Sequence, residues 1–269
     1  MRRVIFNKKG GVGKSSIACN LAAISAAQGY KTLVIDLDIQ GNSTHYIMGE
    51  PTSALHNTVH DFFKQTVSVL AFPKKNSDFV HQSPFENLYV IPSSPQLEFI
   101  ERELETRQKI YKLKDALDDL NKDFDRIYID TPPCLNFFSR SALIAADRVL
   151  IPLDCDDFAR QALYSLMASI AEIQDDHNKR LLVEGIIANQ YQAQARLPRQ
   201  LIAELLEEGL PVLEDKLSSS IKMKESHQLC KPLIYCAPSH PLTKQFIQLL
   251  NTIEATDQVE KITRVVVPQ

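Results

Sequence analysis

Lys8-Lys9-Gly10-Gly11-Val12-Gly13-Lys14-Ser15-Ser16 is the stretch on which the reading of this chain turns. It follows the apolar run at residues 4–7 directly. It then opens into residues 13–28, where Ile17, Leu21 and Ile24 recur at helical spacing and Gly29 stands where a helix stops. A strand, a glycine-rich turn and a helix in immediate succession make an anion cradle. The glycines allow a turn tight enough to aim backbone N–H groups at phosphate oxygens, and the helix N-terminus adds the positive end of its dipole. In such a cradle Lys14 reaches the β- and γ-phosphates and the Ser15 hydroxyl is placed to ligate Mg2+. Gly10, Gly11, Val12, Gly13 and Ser16 complete the wrap around the phosphates.

The common form of such a loop, G-x-x-x-x-G-K-[ST], needs a glycine five residues before Gly13, and Lys8 stands there. The loop instead reads K-G-G-x-G-K-S, with a second lysine at Lys9, and no G-x-G-x-x-G of the dinucleotide-binding kind is present. This deviant Walker A pattern resembles the ParA/MinD superfamily. The resemblance implies a P-loop NTPase of the SIMIBI type that takes ATP and Mg2+ and forms a homodimer when ATP is bound. In that dimer Lys9 crosses the interface to the partner's nucleotide.

Short apolar runs recur at residues 32–38, 88–92, 126–130, 148–153 and 183–189, separated by longer amphipathic stretches. The alternation predicts an α/β fold, a mostly parallel twisted sheet flanked by helices on both faces. Helices are expected at residues 95–120, 158–174, 197–208 and 241–255. Residues 43–84 and 218–241 look less regular and are natural places for switch or partner contacts. With no internal repeat and no linker, a single domain over residues 1–269 is expected, its tail from about residue 256 free to be flexible.

Two further motifs support the loop. Asp36-Leu37-Asp38-Ile39-Gln40-Gly41-Asn42-Ser43-Thr44 resembles the family's D-x-D-P-Q-G-N-x-T switch segment, with Ile39 in place of proline. Carboxylates two residues apart at a strand end point to opposite sides, so one of the pair faces the γ-phosphate. By resemblance that one is Asp38, which positions the attacking water and joins Ser15 and Asp130 as a metal residue, while Asp36 supports the metal region. Arg126-Ile127-Tyr128-Ile129-Asp130-Thr131-Pro132-Pro133 has the Walker B form, in which Asp130 holds Mg2+ through water. The resemblance also implies base contacts from Asn189 and from a proline turn at Pro238.

The formal net charge of −3 argues against binding nucleic acid through a global field, so any DNA affinity must come from a patch. The five cysteines are odd in number and form no C-x-x-C, which fits a reducing cytoplasm better than a disulfide framework. The first residues enter a strand pattern without a signal-peptide core, and no apolar run approaches a membrane span. Within the family, MinD-type members end in a basic amphipathic helix, whereas residues 257–269 are mixed in charge and β-branched; no membrane partner is expected. Partition ATPases of the ParA/Soj kind fit better. The resemblance then implies nonspecific DNA binding through Lys222, Lys224, Arg196 and Arg199, association with the nucleoid, and hydrolysis stimulated by a ParB-like adaptor. The family's I-P-R-N-V-R is reduced here to L-S-S-S-I-K. Two alternatives stay open: a cargo-positioning or regulatory switch that touches no DNA, and a metabolic ATP-dependent enzyme on the same scaffold.

Overall fold

The computed structural model describes residues 1–68, 72–156 and 159–258. Seven strands form one sheet: β1 (Arg2–Ile5), β2 (Thr32–Asp36), β3 (His81–Gln82), β4 (Leu88–Ile91), β5 (Arg126–Asp130), β6 (Arg148–Asp154) and β7 (Leu182–Asn189), in the spatial order β3-β4-β2-β5-β1-β6-β7. Every pairing is parallel except the two-residue edge strand β3, which runs antiparallel to β4. A parallel sheet needs crossovers that cover its faces. The connections between strands carry α1 (Lys14–Ala27), α2 (Asn42–Met48), α3 (Val59–Val67), α4 (Leu97–Thr106), α5 (Lys112–Leu120), α6 (Phe137–Ala145) and α7 (Ala159–Asp176), and after β7 the chain adds α8 (Arg196–Glu207), α9 (Ile221–Gln228), α10 (Leu233–Cys236) and α11 (Pro241–Gln258).

Side-chain alternation along the strands divides the interior into two cores. Val4, Phe6, Ile127 and Ile129 face α3 through α8, while Ile5, Tyr128 and Leu150 face α1, α2 and α11. Helix α1 lies between sheet and α11. Ile17, Leu21 and Ile24 are buried as expected, and Ala18, Ala22, Ala23 and Ala26 close most of the remaining circumference. Gly29, with φ +94°, ends it in the left-handed conformation that a side chain would resist.

Three expectations need correction. The single helix over residues 95–120 is two, α4 and α5, because Gln108 adopts φ 54° and Lys109 N–H bonds back to Leu104 O at 2.9 Å, closing α4 as a Schellman-type end without glycine. The stretch at residues 43–84 holds α2 and α3, the latter started by a capping box in which Asp61 accepts from Thr58 N–H at 2.9 Å. The stretch at residues 218–241 holds α9 and α10. The expected start of a helix at Phe158, and the tail from residue 259 onward, lie outside the described residues.

The register places the chemistry. Asp36 and Asp130 are direct neighbours at the C-terminal ends of β2 and β5, and Ile5 pairs with Asp130 on the other side. The glycine loop leaves β1 at that same edge. Sequence motifs as distant as Gly10 and Asp130 thus converge outside the carboxyl ends of the central strands, where open α/β sheets bind their ligands.

Candidate functional site

The loop between β1 and α1 is held from below. Asn7 accepts from Lys9 N–H at 2.9 Å and donates to Pro152 O at 2.7 Å, tying the loop to β6. Gly13 caps α1 with φ 88°, and a Cβ there would stand 2.2 Å from Asn189 Nδ2, so the position admits glycine alone. Asn189 Nδ2 donates to Val12 O at 2.8 Å, and Gln190 donates to Gly11 O at 2.9 Å. The end of β7 therefore fixes the loop's far side. No side chain caps the first N–H groups of α1, which leaves its positive end facing the cleft.

The cleft encloses about 470 Å³. Gly10, Gly11, Gly13, Lys14, Ser15 and Ser16 form its floor, and Asp38 and Pro133 its near wall. Lys14 is buried, with Nζ 3.1 Å from Lys9 O; burial lowers its pKa, opposed by the charges of Asp130 and Asp38. Asp130 is fully buried, hydrogen-bonded to Ser15, and accepts from Ser43 Oγ at 2.7 Å. Asp36 accepts from Thr44 N–H at 2.8 Å, Thr44 Oγ1 at 2.7 Å and Asp38 N–H at 3.1 Å. Burial raises both carboxyl groups above the ordinary range, helped by repulsion from Asp130 at Asp36 and from Asp38 at Asp130.

Division of labour between the paired carboxylates follows from these bonds. Asp36 is consumed in fastening the start of α2, whereas the Asp38 carboxylate accepts from Gln40 N–H at 3.0 Å and lines the same cleft as Lys14. Ser15 and Asp130 form a hard-oxygen pair beside Lys14, the donor set that suits a magnesium ion bound with a triphosphate.

The second loop lysine behaves differently from the first. Lys9 Nζ is ion-paired with Asp156 and lies 3.9 Å from Asp154, and its side chain is 38% exposed. It is not among the residues that line its own cleft. Pro238 is exposed and likewise not a lining residue. Arg196 and Arg199 are exposed in the first turn of α8; Lys224 is exposed on α9, and Lys222 pairs with Glu225 one turn along.

Five cleft residues were given no role in reading the sequence: Gln40, Asn42, His45, Tyr46 and His227, although Gln40 and Asn42 stand at the glutamine and asparagine of the switch motif. The first four sit on or just before α2, and His227 reaches the cleft from α9, 211 residues away from its contact Ser16. Ser43 is a further unread residue; its hydroxyl links the switch segment to Asp130. Among the described residues, no helix is long and apolar enough to cross a membrane.

Comparison with known proteins matches this architecture. The AAA domain family model (AAA_31) covers residues 3–183. The chain is 30% identical over 253 residues to the sporulation initiation inhibitor protein Soj of Bacillus subtilis, covering 93% of this chain and 97% of Soj. It is 32% identical over 234 residues to the chromosome partitioning protein ParA of Myxococcus xanthus, covering 86% of this chain and 79% of that protein. Among solved structures, cobyrinic acid a,c-diamide synthase from Mycobacterium smegmatis, with bound ADP and magnesium, superposes with a TM-score of 0.82 at 22% identity over 99% of both chains. That last likeness concerns the fold.

Proposed function

Because this chain belongs to the ParA/MinD superfamily of ATPases, in its partition-ATPase branch, we propose that it is a nucleotide-switched partition or positioning ATPase. It dimerises with ATP sandwiched between subunits, binds DNA without sequence preference in that state, and lets go after hydrolysis stimulated by a ParB-like partner. The observation that carries this reading is the separation of the two loop lysines. Lys14 is buried in the cradle, while Lys9 leaves the same loop toward Asp156 and is free to exchange that ion pair for a phosphate of a facing subunit.

The reaction is phosphoryl transfer to water, in which the protein's work is positioning and charge stabilisation. The loop amides, the α1 N-terminus and Lys14 hold the phosphates. Ser15 and Asp130 would hold Mg2+, which when bound neutralises charge on the β- and γ-phosphate oxygens. Asp38 faces the cleft and orients the attacking water. Tied by Thr44 to α2, Asp36 keeps the switch segment in register with β5. Lys9 of the partner subunit adds charge that a lone subunit lacks, which makes hydrolysis a property of the dimer.

DNA engagement is the part of the proposal most exposed to test. Arg196, Arg199, Lys222 and Lys224 supply the positive charge, and dimerisation doubles it. If four phosphates are neutralised per dimer, log K falls with log salt with a slope of about −3.6, at roughly −0.9 per contact. Fluorescence anisotropy with random duplex at several salt concentrations measures this. With ATP the expected result is binding at that slope, and with ADP little binding. Lys222→Glu with Lys224→Glu flattens the slope and leaves dimerisation intact. Absence of any ATP-dependent binding would turn the reading toward a cargo switch that acts without DNA.

A further inference from the structure

Helix α9 packs over the open side of the cleft and is pinned there by one buried amide. Asn20, on α1, donates from Nδ2 to Tyr46 Oη at 3.2 Å and to Met223 Sδ at 3.8 Å, and accepts from Leu233 N–H at 2.9 Å. Tyr46, itself buried, is hydrogen-bonded to Ser226 on α9. The next residue is His227. Its ring meets Tyr46 edge to face, with centroids 4.5 Å apart and planes at 79°. Its Nε2 lies 3.1 Å from Ser16 Oγ.

This contact has a definite place in the cradle. Lys14, Asp38 and Asp130 mark the β/γ end, since a loop lysine reaches those phosphates. Ser16 lies further along α1, where the loop and first helical N–H groups serve the phosphate nearest the sugar. The His227 ring is fixed by the Tyr46 edge contact and the Ser16 bond, and one edge opens into the cleft. Partial withdrawal from water pushes its pKa below the ordinary imidazole value, which favours the neutral ring with its one N–H.

We propose that His227 is a nucleotide-binding residue of this cleft: with the Ser16 hydroxyl, its imidazole takes the α-phosphate side of a bound nucleoside triphosphate. The proposal rests on the reading of the cleft as a triphosphate site. It assigns a ligand contact to α9, the helix that also carries Lys222 and Lys224. Nucleotide occupancy therefore bears directly on the element that presents them.

Titration of the full chain with fluorescent ATP and ADP analogues tests the assignment. Hydrogen bonds to charged groups are worth about tenfold or more in affinity. His227→Ala should weaken ATP and ADP by the same factor, about tenfold to a hundredfold, because both carry the α-phosphate. His227→Gln, whose amide can still donate, should recover most of the loss. In wild type, carbethoxylation of His227 by diethyl pyrocarbonate, followed by mass spectrometry, should slow when ADP is present. Affinities within twofold of wild type in His227→Ala would overturn the proposal. So would a loss confined to ATP, which would put the contact at the γ end, or a loss without glutamine rescue and without protection by ADP, which would make the residue structural. Lys14→Ala separates the two readings. If it binds as wild type does, the cleft reading fails; if it loses both nucleotides while His227→Ala does not, only the His227 assignment falls.

Discussion

Lys9 and Lys14 stand five residues apart in one loop, and burial separates their roles. Lys14 is enclosed and Lys9 is held at the rim by Asp156 and Asp154. A half-exposed ion pair of that kind is worth about 0.2–1 kcal/mol, small enough to be given up for a triphosphate. Asp38 shows the same economy, being aimed into the cleft while Asp36 is spent on Thr44. Asp38→Ala should therefore bind ATP, hydrolyse it at least a hundredfold more slowly under stimulation, about 2.7 kcal/mol in the barrier, and persist as a dimer. Size-exclusion chromatography with ATP reads the outcome, and a monomer where wild type dimerises would remove Asp38 from catalysis. The phosphate-cradling residues were legible because strand, glycines, lysine and hydroxyl must be contiguous for the chemistry to work. His227, Tyr46 and Ser43 were not, since their roles come from contacts across 211, 26 and 87 residues respectively, which no local spacing encodes.

Among the elements, the strands were the most legible, because a parallel strand buried on both faces reads as an unbroken apolar run. Helices were harder wherever their ends lacked glycine or proline. The break between α4 and α5 rests on Gln108 at φ 54°, a conformation the side chain tolerates but does not advertise. At α3 the Thr58-Asp61 capping box was present in the sequence, hidden within a polar stretch. The last described helix, α11, is anchored by charge. Glu254 accepts from Arg3 at 2.7 Å and from Arg126 at 2.9 and 2.6 Å, while Arg3, fully buried, also engages Glu184 at 2.8 Å. Burial opposes ionisation of Glu254, but the hydrogen bonds from Arg126 and the charges of Arg3 and Arg126 outweigh it and hold the carboxyl below its ordinary value. A depressed carboxyl pKa contributes stability that is present above the unfolded value, about 4.3, and is lost as pH falls through the folded value. Glu254→Gln should cost about 1–3 kcal/mol at pH 7. That gap should close as pH drops below about 4. Urea denaturation at both pH values checks it, and a gap that persisted in acid would mean that the loss is one of packing rather than charge.

At the scale of the whole molecule, a sheet with order β3-β4-β2-β5-β1-β6-β7 gathers the glycine loop, the Asp36/Asp38 pair and Asp130 at one edge. The fold class and this convergence could be read in advance because alternating elements leave few right-handed topologies. What the sequence left open is the surface, where an overall charge of −3 says nothing about which few lysines and arginines act together. The central claim is that ATP joins two chains through Lys9. Sedimentation velocity with Mg2+ and either ATP or ADP, on wild type and Lys9→Ala, tests it most directly. Wild type should sediment at twice the monomer mass with ATP and as a monomer with ADP, while Lys9→Ala binds ATP and stays monomeric. A Lys9→Ala chain that dimerised with ATP as wild type does, or a wild type indifferent to the nucleotide, would contradict the account.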